Sequence, residues 1–300
     1  MNSSTGSFGP LGGVFAALPS FPGKFKLIDM LAVFSCRFGV SEGESSPWPG
    51  THFSADLHDR IQRQMWCGSY EPHVTRCLMT LLRSGDTFLD VGAHIGYFSF
   101  HAAWAVGLKG KVFSFEPNPD LFPRLQRNLS CYPQSLAMQL AIWETEARLQ
   151  YETSSVGSES GWGTLTAVRD LHTGRHFPVQ SITLDDFSQR HSLSSIRAIK
   201  IDAEGSEVAI IRGAKRVLRD LRPILFVEFN DRLLQQAQAS AEQLRVGLIE
   251  KSYIPFVLQE SRLEPLKPLK NVEFADCLCI PEEISATILS ELKNKGFSLG

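Results

Sequence analysis

The stretch FLDVGAHIGYFSF, residues 88–100, runs apolar into an acid, Asp90, and passes at once to Gly92, His94 and Gly96 before an aromatic segment. An unbroken apolar run marks a strand covered on both faces, and the segment after it has the length and composition of a helix. An acid closing a buried strand is costly unless something receives it. Glycines at such a turn let the backbone approach a ligand, and the following helix opens with unpaired N–H groups. The turn therefore reads as a ligand-binding strand–loop–helix unit.

Outward from this turn the rhythm repeats. KVFSFEP (111–117) is a second strand, PDLFPRLQRNLS (119–130) its helix, and SLAMQLAI (135–142) a third strand. AIKIDAEG (198–205) and PILFVEFN (223–230) are buried strands, SEVAIIRGAKRVLRDL (206–221) one or two helices, and LLQQAQASAEQLRVGLI (233–249) a helix. SYIPFVLQE (252–260) and VEFADCLCIP (272–281) close the sheet, with Cys277 and Cys279 read as facing opposite sides. Alternating β and α units predict an α/β fold, a doubly wound and mostly parallel sheet with helices on both faces. Ligands bind such sheets outside the carboxyl ends of the strands.

Residues 1–23, rich in Gly, Pro and Ser, are expected to be flexible. Residues 24–85 read as an N-terminal helical cap interrupted by SEGESSPWPG (41–50). Its last segment, HVTRCLMTLLRSG (73–85), sets Val74, Cys77, Leu78, Leu81 and Leu82 on one helical face. The main domain spans 86–300, with a β insertion over about 145–182 around the loop SSVGSESGWGTL (154–165).

A net charge of −2 gives no long-range attraction for nucleic acid or an acidic membrane, so nucleic acid is not expected as a partner. No stretch reaches the roughly 18 apolar residues of a membrane span, and no signal-peptide pattern opens the chain. Six cysteines without metal-ligand or CxxC spacing read as reduced thiols of a cytoplasmic protein.

The chemistry of the turn narrows the ligand. Asp90 disfavours phosphate and favours positive charge, while Glu116, 24 residues beyond Gly92, stands at the next strand end, where an acid accepts from a ribose diol. The glycine spacing, Gly92-x-x-x-Gly96, is not the dinucleotide fingerprint, and no GK[ST] loop occurs. A ribose, a cationic amino-acid end and a carboxylate are combined in S-adenosyl-L-methionine (SAM), which is the cofactor expected here.

Taken together, DVGAHIGYFSF, GKVFSFEPNPDLFPRLQRNL, AIWE, SITLDDF, IKIDAEGSEVAIIRGA and RPILFVEFN resemble, in order and spacing, the FkbM family of SAM-dependent methyltransferases over about residues 68–230. The resemblance implies a class I methyltransferase fold whose seven-stranded sheet has an antiparallel last strand. It implies a SAM loop of Asp90, Gly92, His94 and Gly96, with Glu116 on the ribose and Pro117 and Asn118 near the adenine. Ala141, Ile142 and Trp143 would flank the adenine ring, and Tyr70 and Glu71 would fold over the methionine end, Glu71 meeting its ammonium. His94 stands where the family commonly has Asn. The two ends of the chain match loosely, so the acceptor does not carry over.

In that fold Asp202 ends the fourth strand beside the methyl group, where it is expected to orient or deprotonate the acceptor and also to border the cofactor. Glu204 and Glu228 would shape the acceptor pocket, although Glu204 and Glu207 have the alternative of capping the next helix. Asp202, Glu228 and Asn230 could instead ligate magnesium, unless Asn230 caps the helix at 231; no metal is assigned. Trp162 is either a lid residue or part of an ordinary surface loop. Asp185 and Asp186 are expected to start a short helix, and His101, His172, His176 and His191 to lack ligand roles. The expected activity is O-methylation of a hydroxyl on a sugar, glycan precursor or small biosynthetic product. N-methylation and a non-catalytic SAM-fold binding protein are the alternatives; the [DNS]PP[YFW] block of amino-group DNA methyltransferases is missing where the fourth strand ends in IDAEG.

Overall fold

A computed structural model describes residues 6–8, 24–153, 163–165, 174–268 and 274–300. Near the N-terminus β1 (Gly6–Phe8), β2 (Val40–Ser45) and β3 (Phe53–Asp56) form a small sheet. The helical cap expected over 24–85 thus contains strands as well: helices Lys24–Cys36, Arg60–Trp66 and Pro72–Leu81 accompany β2 and β3. VSEGES was illegible as a strand because its inward residues are Gly43 and Ser45, both buried. Gly43 is required there, since a Cβ would lie 2.7 Å from Leu57 Cδ2 and 2.9 Å from the Trp66 ring.

The central sheet contains β4 (Thr87–Val91), β5 (Lys111–Phe115), β6 (Ser135–Met138), β11 (Ala198–Ile201), β12 (Ile224–Asn230), β13 (Tyr253–Gln259), β14 (Arg262–Pro265), β15 (Phe274–Pro281) and β16 (Ser298–Leu299). Its order is β16-β14-β13-β15-β12-β11-β4-β5-β6. Strands β6, β5, β4, β11 and β12 are mutually parallel, and β15 runs antiparallel between β12 and β13. This is the expected doubly wound sheet with its antiparallel strand, extended to nine strands by the short β14 and β16 at one edge. The order reverses at β4, which places the turn after Asp90 at the switch point.

Both faces are covered. Phe88, Ala198, Phe226 and Leu278 pack with Val74, Leu78 and Phe100 on one face; Leu89, Ile199, Leu225, Cys277 and Cys279 pack with Phe187, Ile210 and Leu248 on the other. Cys277 and Cys279 therefore share a face, correcting the opposite reading: residues two apart in a strand point the same way.

The run 135–142 is not one strand. After Met138 the chain leaves the central sheet, and β7 (Ala141–Ile142) pairs with β10 (Arg175–Ile182) in a separate sheet with β8 (Ala147–Thr153) and β9 (Thr164–Leu165). This four-stranded sheet occupies Ala141–Ile182, overlapping the 145–182 stretch read from the sequence as a β insertion. The helix expected over 233–249 is divided into Asp231–Gln236 and Ala241–Ile249 by Gln238 at φ 56° and by Ser240, whose hydroxyl caps Gln243 N–H at 3.1 Å. Thr183 caps helix Leu184–Arg190, which Asp185 and Asp186 open as expected.

Candidate functional site

A cleft of about 380 Å³ opens over the carboxyl ends of β4, β5, β11 and β12. Its floor is the glycine turn. Gly92 has φ +82°, and a Cβ on it would stand 1.8 Å from the Asp202 carbonyl oxygen, so only glycine lets β4 and β11 end side by side. Gly96, at φ +87°, would drive a Cβ to 2.7 Å from Leu125 Cδ1. Asn128 fixes the turn from below: its amide donates to the Ile95 carbonyl at 2.8 Å and to the Ser54 carbonyl at 3.0 Å.

Glu116 is buried at the end of β5 and faces this turn. One carboxylate oxygen accepts from His94 N–H at 2.7 Å and the other from Asn118 N–H at 2.8 Å. Those two bonds leave lone pairs on both oxygens. Burial outweighs the two N–H donors and pushes the carboxyl up to about 7.

Of the residues expected at the site, Glu71, Gly92, His94, Glu116, Pro117, Ile142, Asp202, Glu204 and Glu228 line the cleft. Ala141 and Tyr70 line it too, as do Tyr97 and Phe98 from the first turn of helix Tyr97–Val106. Asp90, Gly96 and Asn118 do not reach it. Asp90 is received from within, by the Ser99 hydroxyl at 2.5 Å, which is itself 2.6 Å from Ser114 Oγ. Its other oxygen finds no hydrogen-bond partner among the described residues, and burial raises its pKa against the nearby Lys200 charge. Asp90 is thus a strut behind the wall of the cleft. His101 packs edge-on against Tyr97 and Trp48, and burial lowers it to about 4. Trp162 and His172 lie outside the described residues.

Lys200 was not singled out in the sequence, yet it organises the cleft. It is 5% exposed, its ammonium is 2.7 Å from Asp202 Oδ2 and 4.5 Å from the centre of the Phe98 ring. Burial disfavours its charge, but Asp202, Glu71 and Asp90 together hold it protonated. The readable signal was a lysine inside AIKI, a strand otherwise apolar on both faces.

The acids around Lys200 divide by protonation. Burial would raise Asp202, but Lys200 and a hydrogen bond from Glu228 bring it below the ordinary carboxylate range. Glu228 is driven well above that range by burial and by Asp202. The hydrogen-bonded pair therefore holds one proton, on Glu228. Glu71, set in the left-handed region at φ 38°, is pushed up to about 7 by burial and is hydrogen-bonded to Tyr70. Glu207, not Glu204, is the cap of the loop after β11, accepting from Ala203 N–H at 2.9 Å and Gly205 N–H at 3.3 Å. Asn230 caps helix Asp231–Gln236 through Leu233 N–H at 3.3 Å. Among the described residues no group of three or more His, Cys, Asp or Glu side chains is disposed to hold a metal ion.

The cleft thus offers a carboxylate with spare lone pairs at one side, a second carboxyl at the other and an apolar wall of Phe115, Leu140 and Ile142 between elements. A ligand with a diol, a flat ring and a cationic end suits these groups, as SAM does. The same assignment comes from comparison with known proteins. Residues 90–259 match the methyltransferase FkbM domain family. Hexuronic acid methyltransferase AglP of Haloferax volcanii is 26% identical over 180 residues, covering 57% of this chain and 71% of that protein. 2-O-methyltransferase NoeI of Sinorhizobium fredii is 25% identical over 177 residues, covering 55% of this chain and 72% of that protein. With the family match spanning more than half of its length, the chain belongs to the FkbM family of SAM-dependent methyltransferases.

Proposed function

We propose that the protein methylates a hydroxyl group of a sugar or glycan precursor. The observation that carries this reading is the Asp202–Glu228 pair, one carboxylate and one carboxylic acid, held beside Lys200 at the strand ends of a SAM-type cleft. The relatives support the acceptor class, since their names specify a hexuronic acid and a 2-O position.

When bound, SAM supplies a methyl group already activated by its sulfonium. The protein's residues do the rest. Glu116 accepts the ribose hydroxyls, Glu71 faces the ammonium, and Pro117, Leu140 and Ile142 flank the adenine. Asp202 orients the acceptor hydroxyl and takes its proton. A carboxylate with a depressed pKa is a weak base toward a resting alcohol. An oxygen that is gaining a methyl group becomes far more acidic than any carboxylic acid, so Asp202 need act only late in the displacement. The energetic weight falls on alignment and exclusion of water. Glu204 and Asn230 border the space left for the acceptor. Nucleic acid does not suit a chain of net charge −2, and six cysteines present as thiols suit the cytoplasm. No described helix is long and apolar enough to cross a membrane.

The test is a transfer assay with methyl-labelled SAM against methyl glycosides of hexoses, 6-deoxyhexoses and hexuronic acids. Label on a sugar oxygen is expected. Label on amino sugars alone would favour N-methylation, and tight SAM binding with no transfer to any acceptor would favour the binding protein.

A further inference from the structure

The acid pair has a continuation behind the cleft. Glu228 on β12 lies directly opposite Asp276 on β15, so the two side chains share a sheet face. Helix Pro72–Leu81 covers that face and contributes His73, whose Nε2 lies 2.7 Å from Asp276 Oδ2. Beside the two carboxyls is a second cavity of about 10 Å³, walled by Glu71, Lys200, Glu228 and Asp276 and otherwise by apolar groups such as Val74, Phe226 and Leu258. That volume holds about one water, and four polar side chains are available to bond it. Glu71, Lys200 and Glu228 line both this cavity and the cleft. At the far end the His73 side chain is 21% exposed and Asp276 13%.

We propose that this row is a proton exit path, passing a proton from Glu228 through one water in this cavity to Asp276 and out through His73. The proposal rests on the methyl-transfer reading. In that reaction the acceptor O–H bond breaks, an O–CH₃ bond forms and the S–CH₃ bond breaks, leaving a neutral thioether and one proton. The proton lands on Asp202, so the pair holds two and must return to one before the next turnover. Donor and acceptor would both occupy the cleft, whereas the row leads away from it. His73 suits the outer position. Burial works against its charge, but the bonded Asp276 carboxylate, with Glu71 behind it, leaves it above the ordinary histidine range. These are the charged groups facing it from β15 and from the start of its own helix; Lys200 and Asp202 face Glu71 in turn.

A simple clamp would use the same contact to pin the helix, so the test reads proton timing. Glu71 walls the small cavity and must ionise when an ammonium arrives, which lets the exit be measured without an acceptor. S-adenosylhomocysteine is mixed with the full chain at pH 6 in dilute buffer, with tryptophan fluorescence following binding and an indicator dye following protons. In the native protein release keeps step with binding. In His73→Gln and in Asp276→Asn a component of release lags behind binding; added imidazole restores it in His73→Gln and not in Asp276→Asn, where the break is internal. If either variant, shown to be folded by circular dichroism, releases all its protons in step with binding and ignores imidazole, the path is refuted and the contact is a clamp. Absence of S-adenosylhomocysteine binding to the native protein overturns the methyl-transfer reading itself, and the path with it.

Discussion

Cofactor affinity should rise steeply with pH, because the two carboxyls proposed to grip the ligand are protonated before it binds. Glu116 and Glu71 each titrate near 7 rather than at the ordinary 4.5, burial being the main cause for both. In the ligand-free fold their raised values mean a stability contribution present at low pH and lost as pH climbs from 4.5 through 7. Ribose hydroxyls and an ammonium demand the ionised forms, so binding expels both protons. With two groups at about 7, the fraction of protein having both ionised grows about 100-fold between pH 6 and pH 8, equivalent to about 2.7 kcal/mol. Glu207 has a similar value but bonds only its own loop, so it drops out of the difference; His94 and His101, both near 4, lie outside the window. Isothermal titration of SAM at pH 6, 7 and 8 in buffers of different ionisation enthalpy gives affinity and proton count together. Glu116→Gln should reduce the dependence to about tenfold, since one titrating group remains. It should also weaken binding at pH 8 by about 2 kcal/mol, the loss of charge from hydrogen bonds to a carboxylate. Affinity that is flat from pH 6 to pH 8, or a full slope surviving in Glu116→Gln, would refute the assignment.

Four further outcomes are expected. Gly92→Ala should cost about 3 kcal/mol in urea unfolding and abolish SAM binding, because strain and the 1.8 Å clash act together; Gly85→Ala, with φ +94° and open space, should cost about 1 kcal/mol and leave binding alone. Lys200→Met should destabilise the fold by about 3–5 kcal/mol, since it strips the counter-charge from buried Asp202, Glu71 and Asp90; a loss under about 1 kcal/mol would mean these acids are solvated. Asp202→Asn should lower turnover by about 10²-fold or more while shifting SAM affinity far less, and equal effects on both would remove Asp202 from the transfer step. Turnover should survive a chelator, and its loss would restore the magnesium reading of Asp202, Glu228 and Asn230.

What the sequence disclosed, it disclosed through periodicity and local turn chemistry. Strands β4, β5, β11 and β12 are apolar runs ended by acids or glycines, and their alternation with helices left one fold class. The N-terminal strands were hidden because, apart from Phe53, their inward positions are Gly43, Ser45 and Ala55, too small to register as an apolar stripe, and β14 and β16 because they are short edge pieces. The turn at Gln238 was missed for a different reason: a left-handed residue inside a helix-like composition leaves no local mark.

The site was legible residue by residue and illegible as an electrostatic whole. Glu116, Asp202 and Glu228 sit at strand ends, where topology alone directs attention, but burial raises Glu116 and Glu228 while Lys200 lowers Asp202, and the charges that hold Lys200 come from Asp202 and, far away in the chain, from Glu71 and Asp90. His73 and Asp276 are 203 residues apart. Read together, the sheet face beside the cleft carries more acids than its single buried lysine can neutralise, so Asp202 takes the ammonium and Glu228, Glu71 and Asp90 are raised toward the neutral form. A site built for a neutral or anionic ligand gains nothing from such an excess. One that receives a sulfonium and an ammonium gains twice: the ligand supplies the positive charge the fold withholds, and the protons it displaces make binding answer to pH.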